Sequence, residues 1–131
     1  MDKIDQLINN RLKSQWGDKL ERRDYYQLEI EKEFLKGKGE TSGIMFLVDI
    51  DSSHYIDINV FKSGEVRFVF RRGDDILITH RTKENIDEYL NAFLFLIEEY
   101  KLTKNLMDEL SRGIIPKSVK RDILINNVLE D

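Results

Sequence analysis

Cysteine is absent from this 131-residue chain, proline and alanine each occur once, and histidine occurs twice. Without cysteine there is no disulfide framework, no thiolate zinc site and no cysteine nucleophile. No apolar run approaches the ~18–20 residues that a membrane-spanning helix needs. The opening Met1-Asp2-Lys3-Ile4-Asp5 is acidic and amphipathic, unlike a secretory leader. Catalytic signatures are missing as well. Gly37-Lys38-Gly39-Glu40 has neither the spacing nor the strand–turn–helix setting of a phosphate loop. There is no Gly-x-Ser-x-Gly elbow, and Ser42, Ser52, Ser53 and Ser63 fall in turn sequences, where serine serves the backbone. These absences read as a soluble, cytoplasmic, non-enzymatic protein that needs no cofactor.

What is present suffices for one core. Forty percent of residues are hydrophobic and 35% charged, and the length suits a single domain over residues 1–131. Charge is uneven. Residues 39–100 carry six basic against twelve acidic groups, whereas 1–38 carry nine against eight and 101–131 six against five. The acidic middle disfavours nucleic acid and suits a partner with a basic surface.

Hydrophobic periodicity organises the chain. Ile4, Leu7, Ile8, Leu12 and Trp16 recur at helical steps, so a helix is expected over 2–16, ended by Gly17. Residues 18–24 read as a polar connector. From Tyr26 the period becomes two, with Leu28, Ile30 and Phe34 alternating with glutamine and glutamates, which predicts a first strand. Four more strands are expected near 44–51, 55–61, 65–71 and 75–81, separated by Ser52-Ser53, Ser63-Gly64 and Gly73-Asp74. Thr82 reads as an N-cap for a long helix carrying Ile86, Tyr89, Leu90, Phe93, Leu94, Ile97 and Tyr100. A shorter helix near 103–112 stops at Gly113. Pro116 opens a last helix near 117–129, with Val119, Ile123, Leu124 and Val128 inward.

The apolar strand residues are nearly all even-numbered: Ile44, Phe46, Val48, Ile50, Ile56, Ile58, Val60, Val66, Phe68, Phe70, Ile76 and Ile78. Opposed residues in an antiparallel pair share a face, so each hairpin must set even against even. A two-residue turn at Ser63-Gly64 would violate this. A three-residue loop, Lys62-Ser63-Gly64, keeps the parity if Gly64 takes positive φ and Phe61 closes on Glu65. The expected fold is therefore α+β: a five-stranded antiparallel meander sheet packed by the long helix, with an N-terminal helix and two short C-terminal helices. Phe68 and Phe93 belong in the core.

The odd face is the candidate functional surface. Met45, Leu47, Phe61 and Val69 form its apolar centre, and Asp49, Tyr55, Asp57, Arg67 and Arg71 supply charged and aromatic groups around it. Such a mixture is typical of a protein-binding surface. Capture of another protein is expected, as by an immunity protein, an antitoxin or a phage-encoded inhibitor of a host defence nuclease, with the chain itself a monomer or homodimer. The competing arrangement covers this face with the N-terminal or last helix, placing Trp16 against Leu47 or Val69. Two other functions are weighed. Arg67, Arg71, Arg72 and Arg81 with Tyr55 and Phe61 could stack nucleic-acid bases, but the face is rich in carboxylates. Asp49 and Asp57 fall opposite each other if Ser52-Ser53-His54 form the turn. With Asp51 and His54 nearby they could hold a hard cation for a hydrolase; no third ligand is evident, so no metal site is assigned. His80 reads as a satisfied, partly buried histidine.

Overall fold

The computed structural model describes residues 3–23, 43–61, 63–99 and 101–130. The first predicted strand, from Tyr26 to Phe34, lies outside the described residues, as does Tyr100. The chain divides into two compact units, Met1–Lys83 and Glu84–Asp131.

The first unit holds a helix and the sheet. Helix α1 (Lys3–Trp16) runs into a 3₁₀ turn at Gly17–Lys19. The left-handed Gly17, φ 43°, ends the helix as expected. Five strands follow: β1 (Leu20–Arg23), β2 (Gly43–Asp49), β3 (His54–Phe61), β4 (Val66–Arg72) and β5 (Asp75–Thr82). They form one antiparallel meander in the order β1-β2-β3-β4-β5. The edge strand beside β2 is thus Leu20–Arg23, inside the stretch read as a connector. Its four residues alternate too briefly for a period to stand out.

Even parity holds through the sheet. Val48 pairs with Ile56, Phe46 with Ile58, Ile58 with Phe68 and Phe68 with His80. Phe46, Val48, Ile56, Ile58, Val66, Phe68 and Ile78 are fully buried. Helix α1 lies on this even side. Asp5 in its first turn accepts from the Arg22 guanidinium at 3.3 Å, and Arg22 extends over the Phe46 ring at 5.9 Å. Ile8 and Leu12, one turn apart on α1, are fully buried.

Three loops maintain the parity by different means. At the β3–β4 loop Phe61 N donates to the Glu65 carbonyl at 2.9 Å, and Gly64 has φ 97°, as the three-residue loop requires. The β2–β3 turn departs from expectation. Ile50 N donates to the His54 carbonyl at 2.9 Å, so the turn is Asp51-Ser52-Ser53. Asp49 therefore faces Tyr55, and Asp57 faces Leu47. The register is two residues from the predicted one: parity is kept, and the two aspartates are no longer opposed, which removes a like-charge pair. At the β4–β5 turn Gly73-Asp74 closes Arg72 on Asp75, even against odd, and a bulge at Leu77 restores the register so that Phe70 meets Ile78. Before that bulge Ile76 pairs with Arg71 on the odd face and is 61% exposed. It is not the inward residue its number suggested, because the two-residue turn reverses the faces ahead of the bulge.

The second unit is helical: α2 (Ile86–Glu99), α3 (Lys104–Ser111) and α4 (Lys117–Glu130). Thr82 ends β5 rather than capping α2; the chain enters that helix through Asn85, φ 53°, whose carbonyl accepts from Tyr89 N at 2.9 Å. Thr103 caps α3, its hydroxyl accepting from Leu106 N at 3.2 Å. Gly113, φ 78°, follows that helix. On α2, Ile86, Tyr89, Leu90, Phe93 and Leu94 are buried as predicted, together with Ala92 and Leu96. The Tyr89 hydroxyl donates to the Leu110 carbonyl at 2.7 Å in a buried bond joining α2 to α3. Lys120 of α4 pairs with Glu88 of α2 at 3.2 Å. On α4 Val119 is buried, but Leu124 is 65% exposed and not inward. It follows Ile123 by one residue, and a helix turns about 100° per residue, carrying its side chain off the buried stripe.

Two substitutions test these packing relations. A Cβ at Gly43, where φ is 152°, would stand 1.9 Å from the Val60 carbonyl oxygen. Gly43→Ala is expected to cost about 1–3 kcal/mol in urea unfolding. Tyr89→Phe removes one donor to the Leu110 carbonyl, which Gly113 N also bonds at 3.0 Å. The expected cost is about 1 kcal/mol. Burial also holds the Tyr89 phenol above its ordinary range. The wild type should therefore lose stability as pH rises above about 10, where unfolded tyrosine ionises, and Tyr89→Phe should flatten that loss.

Candidate functional site

The register builds the odd face as four cross-strand rows. Arg71, Tyr55 and Asp49 make one; Thr79, Val69, Asp57, Leu47 and Glu21 the next; Arg81, Arg67, Asn59, Met45 and Arg23 the third. Glu65, Phe61 and Gly43 make the fourth. All nine predicted contact residues therefore share one surface: Met45, Leu47, Asp49, Tyr55, Asp57, Phe61, Arg67, Val69 and Arg71. Their exposure differs. Met45, Phe61 and Val69 are buried. Leu47, Tyr55, Asp57, Arg67 and Arg71 are half-buried, and Asp49 is exposed. Helix α1 lies on the opposite side of the sheet.

The arginines are bound to their own surface. Arg71 Nε donates to Asp57 Oδ2 at 2.8 Å, its Nη1 donates to the Gly73 carbonyl at 2.7 Å, and its guanidinium lies 4.5 Å from the Tyr55 ring centroid. Arg81 pairs with Glu65 and lies 4.2 Å over the Phe61 ring. Arg67 donates to the Asn59 amide oxygen from Nη2 at 2.6 Å and from Nε at 3.1 Å when that oxygen is turned toward it. Asn59 is only 1% exposed. These partners offset the direct opposition of Arg67 and Arg81 across β4 and β5. Asp57 Oδ1 is buried with no hydrogen-bond partner among the described residues.

The turn end of the face is acidic and tightly tied. Asp51 Oδ1 accepts from Ser53 N at 3.1 Å, His54 N at 2.8 Å and the Ser53 hydroxyl at 2.9 Å. His54 Nδ1 lies 3.1 Å from both carboxylate oxygens. These bonds, led by the His54 amide, hold the Asp51 carboxyl well below the usual carboxylate range. Asp49 Oδ1 accepts from Ser52 N at 2.7 Å, where Ser52 has φ 71°. Gly73 N donates to the Ser53 carbonyl at 2.9 Å, joining the two adjacent turns. On the other flank Lys19 Nζ donates to the Ile50 carbonyl at 3.0 Å. A concavity of about 350 Å³ lies between the β2–β3 turn and this flank, lined by Asp18, Glu21, Asp49 and Asp51 together with Lys19, Ser52 and the apolar Leu20 and Ile50.

Asp18, Glu21, Asp51 and Ile76 were not among the predicted contacts. The first two come from the stretch read as connector, Asp51 is weighed only as a neighbour of a possible cation site, and Ile76 is exposed by the bulge. The opposed aspartates weighed as cation ligands are not brought together: Asp57 is held by Arg71, Asp49 faces Tyr55, and Asp51 with His54 closes the turn. Among the described residues no three His, Asp or Glu side chains gather as a metal-holding group. Nor is any described helix long and apolar enough to cross a membrane. His80 is half-buried on β5 opposite Phe68.

Comparison with known proteins finds no matching family model, no matching curated protein and no matching solved structure.

Two expectations follow from the side-chain contacts. Because the Asp51 carboxyl is more acidic in the fold than unfolded, its contribution is fully present above about pH 4 and lost as pH falls below it. Asp51→Ala should lower Tm at neutral pH and make the acid limb of a Tm-against-pH curve shallower than wild type. On the odd face, Phe61→Ala should cost about 3 kcal/mol, near the lower end for a buried phenylalanine. Removing only the covering cation, by Arg81→Ala, should cost about 1 kcal/mol. Equal costs in chemical denaturation would show that Phe61 is not a packing centre.

Proposed function

We propose that this chain is a non-enzymatic domain that captures another protein, one with a basic surface, in a stoichiometric complex. The observation that carries the reading is the acidic concavity beside the β2–β3 turn at the end of β1 and β2, whose lining includes Asp18, Glu21, Asp49 and Asp51. Its neighbours fit a docking surface. Tyr55 is held under Arg71 at the rim, and Ile76 offers exposed aliphatic surface on the far side of Arg71. The two hydrogen-bonded turns limit the loss of loop freedom on binding. Charge complementarity of this kind speeds encounter and fixes orientation. An acidic surface that fills a basic groove would compete with nucleic acid for it. Concrete forms of this reading are an immunity protein or antitoxin, or a phage-encoded inhibitor of a host defence nuclease. Stacking of nucleic-acid bases is less well supported, because Arg71 and Arg81 already lie over Tyr55 and Phe61 and are paired with carboxylates.

The test is a photo-crosslinker at Ile76, followed by calorimetry with the purified captured protein. A 1:1 complex is expected, with affinity falling as salt rises. The double variant Asp18→Lys, Asp49→Lys should weaken it at least about tenfold with the fold intact by circular dichroism, whereas Asp108→Lys on α3 should leave it unchanged. Undiminished binding by the double variant would overturn the proposal, as would crosslinking to nucleic acid alone.

A further inference from the structure

We draw no further inference here: the strongest candidate, the apolar groove of the helical unit lined by Ala92, Ile115, Ile123 and Leu124, carries nothing because nothing in the structure shows what covers it.

Discussion

Side-chain alternation along an antiparallel strand is the constraint on which the sheet depends. Neighbouring residues point to opposite faces, so a one-residue slip at any hairpin exposes a whole row of the core. This chain places most of its apolar strand residues at even positions and must keep that parity across three tight connections. Each does so with different chemistry. Gly64 takes a positive φ in a three-residue loop, Asp51 gathers the backbone of a three-residue turn, and the bulge at Leu77 corrects a two-residue turn that would otherwise invert β5. The first two act through local backbone bonding. The third leaves a trace on the surface, because Ile76 lies on the wrong side of the correction and is exposed.

The opposite face meets a different requirement. It carries arginines, carboxylates and rings that no hydrophobic core needs, and charges drawn toward a protein interior must find partners. Here the partners lie within the face. Arg71 serves Asp57, the Gly73 carbonyl and the Tyr55 ring together, so one side chain joins β3, β4 and the turn beyond. Arg81 does the same for Glu65 and Phe61. The apolar residues that seemed free for a partner, Met45, Phe61 and Val69, are buried. The acidic turn end is among the open parts of the described face, and the proposed docking surface is placed there. Surface pairing of this sort adds little stability per contact, but it fixes which groups face outward.

Sequence periodicity by itself determined the alternation of β2 to β5, the buried stripe of α2 and the loop that needs Gly64 left-handed, because periods of two and 3.6 residues are written directly in the order of apolar side chains. It also placed Asp49, Tyr55, Asp57, Arg67 and Arg71 on one surface, since parity alone assigns a face. Features spanning only a few residues were not legible in this way. β1 has four residues, and Thr82 resembled a cap although the helix starts at Ile86. Only the tertiary structure decided which aspartate faces which residue across β2 and β3, because registers two residues apart satisfy the same parity and differ only in how the turn bonds itself. Only it brought Asp18 and Glu21 beside Asp49 and Asp51, since strands distant in sequence become neighbours through backbone pairing that no local pattern records. Whether a residue on the odd face is exposed was decided there as well. Burial depends on what lies above a side chain, as Arg81 lies above Phe61, and alternation along a strand carries no information about that.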